Sequence, residues 1–357
     1  MTRRASRTLI RVLSVTTVVG LAAYGFSHFK HADAVESPTG TKPKTVTLLA
    51  VDDAPAKPKV ENKTDPRPAS GSTESKTQSK TEPKAETKSE SSSAKLANVV
   101  VPPSGKNALE DGKTKIDAGE LLAGRKLLND ALISGQFAGA DAVAAKQLIG
   151  EANTFIIFSP RRFAEDPWAT THAVTPGEVL AKIAFKYSVT PELLLRMNGM
   201  TDARKLRAGA SIKVLQGPFH AVVTKHSFTL DLYLGSPGEK NAQFVTSFPV
   251  GLGKDDSTPT GTWIVEQRIP NPKWWGARGL PPIEPGDPKN PLGKFWIALA
   301  GVDGKAEGQQ SYGIHGTIEP ESIGKQASMG CIRLRNEDVA VVYSLLVNGK
   351  STVVVKD

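Results

Sequence analysis

The sequence predicts a multidomain chain: a mainly-β C-terminal domain, preceded by a small βααβ domain and an α-helical hairpin. Three patterns carry this. Apolar residues alternate at period two after Gly217, short strand-like runs bracket two helical stretches between Thr171 and Leu215, and two helical periods occur between Asp117 and Phe158. At 357 residues the chain is long enough for two or three domains. Its 39% hydrophobic residues are unevenly spread, so most of the core must lie after Leu121.

The first residues differ from the rest. Arg3, Arg4, Arg7 and Arg11 precede an apolar run from Val12 to Phe26, the layout of an export signal. That run is shorter than the roughly 20 residues that span a bilayer comfortably. Ala32, Asp33 and Ala34 offer a small-residue cleavage site, which favours removal after Ala34. Alternatively, Tyr24, Phe26 and Phe29 extend the apolar stretch into an uncleaved anchor with its arginines on the cytoplasmic side. Residues 1–34 therefore read as a signal peptide or a membrane anchor. The protein is expected to be exported to the periplasm or cell wall, tethered to the inner membrane if uncleaved.

Residues 35–106 are dominated by Lys, Glu, Ser, Thr and Pro with almost no aromatics, too polar to offset chain entropy by burial, and read as a disordered linker. The short Val46–Val51 patch within it is an isolated apolar segment. The net charge of +9 does not point to nucleic acid. Lysines of the linker alternate with glutamates, and no basic stripe carries interleaved aromatics. A solvated face or an anionic wall surface suits that charge better.

The hairpin, assigned to residues 107–160, has one apolar face of Ala118, Leu121, Leu122, Leu128 and Leu132, and a second of Ala145, Leu148, Ile149, Ala152, Phe155 and Ile156. Gly135 and Gly139 flank its turn, and Asp141 is placed to cap the second helix. The pair resembles one tetratricopeptide-like unit, which needs a neighbour to cover its apolar face.

In residues 168–216 a strand from Thr171 to Val174 leads to a helix from Glu178 to Tyr187. A second helix is opened by Thr190 and Pro191, and a strand from Ser211 to Leu215 closes the unit. Val174, Pro176, Gly177, Leu180, Ile183, Ala184, Tyr187, Val189, Leu193, Leu194, Asn198, Leu206, Gly209, Ile212 and Val214 make this segment resemble a LysM module. The resemblance implies binding of N-acetylglucosamine-containing glycan through the loop after the first strand and the loop before the second, with Pro176, Gly177, Glu178 and Met200 as candidate contacts. Two positions depart from the pattern: His172 replaces the usual aromatic, and Glu178-Val179 the customary Asp-Thr pair.

In residues 217–357, strands are expected at Ala221–Thr224, Thr229–Leu234, Phe244–Val250, Thr262–Ile269, Phe295–Ala300 and Thr352–Val355. Between Ile269 and Gly293 seven prolines accompany Trp274 and Trp275, too many for a hairpin turn, so this stretch reads as a lid or groove wall.

The chain has one cysteine, Cys331, and a single cysteine forms no intramolecular disulfide. It is either a buried small hydrophobe or a reactive thiol. A thiol becomes a strong nucleophile as a thiolate, and a nearby imidazole is the usual means of forming one. Of six histidines only His315 sits in a Gly-rich stretch near Cys331. Gly330 permits a backbone geometry that lets N–H groups converge beside the thiol. Gly251 and Gly253 lack the strand-Gly-helix context of a phosphate loop, and one cysteine cannot assemble a cysteine-rich zinc site, so neither nucleotide nor metal is expected and no cofactor is required.

His315-Gly316-Thr317, Ser322-Ile323-Gly324 and Ser328-Met329-Gly330-Cys331-Ile332-Arg333-Leu334 together resemble the L,D-transpeptidase (YkuD-type) signature. The likeness extends to Pro249-Val250-Gly251, Gly253-Lys254, Thr258-Pro259-Thr260-Gly261 and Asn290-Pro291-Leu292-Gly293. The resemblance implies a peptidoglycan enzyme with Cys331 as nucleophile, His315 as base and amides near Gly330 and Cys331 as an oxyanion hole. It implies stem peptides and glycan strands as partners and a direct diaminopimelate crosslink as product. Arg333 suits a substrate carboxylate or site architecture, Ser328 a hydrogen bond within the site or a turn cap, and Trp274 and Trp275 substrate contact. Many relatives carry a histidine where this chain has Met329, so His315 acts without a second motif imidazole. Gly316 is a candidate carbonyl to orient it. Asn336 is expected to cap a helix from Glu337 to Val347. The motif leaves open water as acceptor (an L,D-carboxypeptidase), a protein amine (wall attachment), and a non-catalytic wall-binding tether.

Overall fold

A computed structural model describes residues 105–276 and 280–357. The export segment, the linker up to residue 104 and three residues of the proline-rich stretch lie outside the described residues. Three helices come first: α1 (Gly105–Asp117), α2 (Leu121–Ile133) and α3 (Gly139–Ile156). The second and third match the expected hairpin; the first does not appear in its pattern. The α1 sequence is mostly polar, with Ala108, Leu109 and Ile116 as its apolar residues. Packing rather than periodicity holds it, since Ala108 is wholly buried beside Leu128 and Ile149. Asp141 does not cap α3: Ala138 occupies the cap position, and Asp141 lies within the first turn, where its carboxylate favours the helix dipole.

The βααβ unit follows. It comprises β1 (Ala169–Ala173), α4 (Leu180–Lys186), α5 (Pro191–Met197) and β2 (Ser211–Leu215), with β1 and β2 antiparallel and Ala169 opposite Leu215. Thr190 caps α5 as its sequence predicts, its hydroxyl accepting the Leu193 N–H at 3.0 Å with Pro191 at the first helical position.

The remaining strands are β3 (Phe219–Thr224), β4 (Thr229–Leu234), β5 (Gln243–Pro249), β6 (Leu252–Gly253), β7 (Gly261–Pro270), β8 (Phe295–Gly301), β9 (Tyr312–His315), β10 (Gln326–Ser328), β11 (Ile332–Arg333) and β12 (Thr352–Lys356), with α6 (Asn336–Leu345) before the last. Eight form one sheet in the order β11-β9-β8-β7-β12-β3-β4-β5, while β6 and β10 pair separately and in parallel. The six strands expected from alternation are present within a few residues; β6, β9, β10 and β11 are too short to show a period.

β5 is an edge strand, and the helices cover it. Asn129 accepts the Phe244 N–H at 2.9 Å and donates to the Ala242 carbonyl at 3.0 Å, so one side-chain amide replaces a missing neighbouring strand. Asn153 donates to the carbonyls of Phe244 and Val245. Phe244 is buried among Leu128, Ala145 and Ile149, which supplies the neighbour the hairpin requires.

One buried cluster runs from Leu121 and Ile156 through Leu180, Leu193 and Met197 of the βααβ unit to Leu232, Trp263 and Val342 around the large sheet. At the seam the Lys213 ammonium, almost wholly buried, donates to the carbonyls of Ile156, Ser159 and Arg161 where α3 ends. Nearby, Arg125 and Asp166 form a buried ion pair at 2.9 Å. Among the described residues no helix is long and apolar enough to cross a membrane.

Candidate active site

β11 lies parallel to β9, with Ile332 opposite Ile314 and Arg333 opposite His315. Continued by one residue, this register sets Cys331 beside Gly313. Side chains two residues apart share a face of a strand, so Cys331, Arg333 and His315 belong to one face. Sixteen positions apart in sequence, the thiol and the imidazole are thus neighbours through the pairing of two short strands.

His315 is buried, and its Nδ1 lies 2.6 Å from the Gly316 carbonyl oxygen. A carbonyl can only accept, so Nδ1 carries the proton and Nε2 keeps its lone pair. Burial, abetted by the Arg333 charge and opposed by the Gly316 bond, lowers the imidazole pKa to about 4. The ring is neutral at neutral pH. Trp296 of β8, opposite His315 in the sheet, stacks on the imidazole with centroids 5.6 Å apart and planes 27° apart. Gly313 makes room for this indole, because a Cβ there would meet Trp296 at 2.6 Å. No feature of the sequence singles out Trp296 or Gly313; only the register of β8, β9 and β11 does.

Burial raises the Cys331 thiol above its ordinary value, while a backbone hydrogen bond from Gly313 and the Arg333 charge act the other way. Both shifts favour the uncharged forms, a thiol and an imidazole, over a thiolate–imidazolium pair.

The turn ahead of the thiol is fixed from three directions. Gly330 has φ 132°, and a Cβ there would meet the Tyr312 ring at 2.6 Å. Ser328 Oγ accepts the Gly330 N–H at 3.1 Å and donates to the Cys331 carbonyl at 2.7 Å. Thr258 Oγ accepts from Gly253 N–H at 2.8 Å and donates to the Gly330 carbonyl at 2.9 Å. Gly251 exchanges both backbone bonds with Arg333, at 2.8 and 2.9 Å. The separate motif segments around Gly251, Thr258 and Cys331 thus converge on this turn. The expected pair of amides is altered: Gly330 N–H is engaged by Ser328, so the Cys331 N–H is the amide left beside the thiol. Ser328 shapes the turn, and Met329 is three-quarters exposed at its tip.

Arg333 donates from Nη1 to Glu319 Oε2 at 2.8 Å, while among the described residues its buried Nε has no partner. Asn336 does not cap α6. Arg335 holds the cap position, and the Asn336 amide donates to the Thr317 carbonyl at 3.0 Å, tying the segment after His315 to the helix. Trp274 bridges to Ile283 by two backbone bonds, and Trp275, partly exposed, lies under the Lys273 ammonium at 4.7 Å. Among the described residues no hydrogen bond or ring contact joins either tryptophan to Cys331 or His315. Asn290 fixes the base of this stretch by donating to the Pro272 carbonyl at 2.7 Å.

In the βααβ unit, Pro176 and Gly177 are exposed on the loop after β1, with Gly177 at φ 77°. Glu178 already has partners. Its Oε2 lies 2.9 Å from His172 Nε2 and accepts from the Thr175 N–H and hydroxyl, which together hold its pKa down to about 2. The His172 Nδ1 lies 3.1 Å from the Tyr187 hydroxyl. Met200 is half-buried and packs against the core. Of the four expected glycan contacts, Pro176 and Gly177 are open and Glu178 and Met200 serve the fold.

The chain matches the family pattern for the YkuD L,D-transpeptidase catalytic domain over residues 238–355 and that for the LysM domain over residues 172–214. A provisionally named L,D-transpeptidase YkuD of Bacillus licheniformis is 32% identical over 186 residues, spanning 50% of this chain and 94% of that protein. The protein of the same provisional name from Bacillus subtilis is 33% identical over 187 residues, with the same coverage. A provisionally named L,D-transpeptidase YcfS of Escherichia coli is 33% identical over 193 residues, 48% of this chain and 57% of its own length.

Proposed function

The chain belongs to the L,D-transpeptidase family with a YkuD catalytic domain, and we propose that it joins peptidoglycan stem peptides by acyl transfer through Cys331. The observation that carries this reading is the register of β11 against β9, which puts the only thiol and a buried, oriented imidazole on one face. His315 Nε2 takes the Cys331 proton as the sulfur attacks the carbonyl between diaminopimelate and D-alanine in a tetrapeptide donor. A neutral thiol becomes nucleophilic only as its proton leaves, so transfer and attack are coupled. The Cys331 N–H donates to the developing oxyanion. The imidazolium returns its proton to the departing D-alanine amine, leaving a thioester. An acceptor amine then attacks the thioester, His315 takes its proton, and the thiol is restored as the diaminopimelate to diaminopimelate amide forms.

Trp296 and the Gly316 carbonyl hold the base in one tautomer and orientation throughout. Arg333 receives a substrate carboxylate, and Trp274 and Trp275 form one wall of the donor groove. The LysM unit holds the glycan strand through the exposed loop at Pro176 and Gly177, retaining the enzyme at its polymeric substrate. Such a substrate lies outside the cytoplasm, consistent with export through residues 1–34, either cleaved or kept as an anchor. Incubation of the purified enzyme with disaccharide tetrapeptides tests the reaction. Crosslinked dimers lacking one D-alanine are expected. Tripeptide alone would replace this reading with an L,D-carboxypeptidase, and unchanged tetrapeptide would reject it.

A further inference from the structure

Arg333 and Cys331 lie on one face of the chain entering β11, so the arginine is carried on the same face as the thiol. Its charge reaches both Cys331 and His315. In this structure that guanidinium is occupied: Nη1 donates to Glu319 Oε2 at 2.8 Å. Glu319 comes from the segment that leaves β9 directly after His315. The backbone there is pinned, because the Glu319 N–H donates to Thr317 Oγ at 3.0 Å and its carbonyl accepts from the Ser322 hydroxyl at 2.6 Å. The carboxylate is not pinned. It lies 56% exposed against 19% for the Arg333 side chain, and among the described residues Arg333 is its one side-chain partner.

A single-contact pair whose carboxylate is more than half exposed is weak and easily exchanged. The arginine is also under-satisfied, since among the described residues its buried Nε has no acceptor. A carboxylate engaging two N–H groups of the fork satisfies a guanidinium better than one contact does. Resting on the transpeptidase reading, we propose that Glu319 is a placeholder for the substrate carboxylate, occupying Arg333 in the free enzyme and swinging into solvent when a stem peptide arrives. Arg333 thereby sets specificity for a free carboxylate, and Glu319 tempers it. A stem peptide with a free carboxylate at the acylated residue can displace it, whereas one amidated there leaves the Glu319–Arg333 pair closed and gains nothing from the arginine.

The test measures binding rather than turnover, so it stands whether or not the thiol reacts. In the Cys331→Ala background, calorimetric titration compares a tetrapeptide bearing the free diaminopimelate carboxylate with the same peptide amidated at that group, with and without Glu319→Gln. Removing the competing carboxylate is expected to tighten the free acid by about two- to fivefold, the range of an exposed ion pair, with the amide unchanged. Equal changes for both peptides, no change, or weaker binding of the free acid would overturn the proposal. Glu319→Ala repeats the comparison without the amide that Gln introduces and is expected to show the same preference. The carbapenem adduct of the otherwise unaltered protein separately reports on Cys331 as nucleophile, so failure of that reading and failure of this one are distinct.

Discussion

Thr258→Val removes one hydroxyl and leaves the shape of the side chain. The cost is set by what that oxygen joins. It accepts the Gly253 N–H at 2.8 Å and donates to the Gly330 carbonyl at 2.9 Å, with Thr258, Gly253 and Gly330 all buried. Each backbone group loses this partner without gaining water, and an unsatisfied buried group costs roughly 1–3 kcal/mol. Two such groups total about 2–6 kcal/mol, a fall in melting temperature of roughly 4–24 °C for a unit of this size. The loss is concentrated at the turn that carries the thiol. Carbapenem acylation, followed by intact mass over time, should therefore slow in the folded variant, at temperatures well below its melting point. Thr258→Ser retains the hydroxyl and should keep both the stability and the acylation rate close to wild type. If Val matched Ser in both measurements, the Thr258 bridge would not be what positions Gly330.

The neutral resting pair predicts two pH dependences. Folding lowers the His315 pKa from about 6.5 to about 4, so the unfolded chain binds a proton between those values and the native state does not. This contribution is complete above about pH 6.5 and is lost as pH falls towards 4. Its full size is at most about 3 kcal/mol, visible in urea unfolding as a decline across that window which His315→Gln lacks. The alkylation rate of Cys331 by iodoacetamide should keep rising as pH passes the ordinary thiol value, and a plateau near neutrality would indicate a preformed thiolate. Lys213→Met strands three carbonyls where α3 ends and should destabilise the protein by about 2–4 kcal/mol. Unchanged denaturant midpoints would show that the buried ammonium contributes nothing net.

The parts legible in the sequence were those written locally. The βααβ unit reads directly, because Thr190-Pro191 opens α5 by its own chemistry and β2 has the bounds its apolar run suggests. The long strands read from alternation. Asn336 and Asp141 illustrate the limit: each is a favoured capping residue near a helix start, yet the cap falls one residue before Asn336 and three before Asp141, and the side chain does something else. α1 could not be read, since its few apolar residues form no stripe and its stability comes from Leu128 and Ile149.

The site divides in the same way. Cys331 and His315 stand in a compact motif and were legible together. Trp296, Gly313 and the Glu319 carboxylate were not, because their relation to that pair depends on the parallel register of a two-residue strand against a four-residue one. The upstream motif pieces were legible as a set, but not what each does. Gly251 exchanges backbone bonds with Arg333, and Thr258 reaches Gly330. The signature is thus a record of contacts around one turn.

The proposal that Cys331 carries the acyl group is tested most directly by intact-mass analysis of wild type and Cys331→Ala after incubation with a carbapenem, followed by peptide mapping of the adduct. The account predicts one adduct on wild type, located on the peptide containing Cys331, and none on the variant. An unmodified wild type, or an adduct that persists in Cys331→Ala, would contradict it.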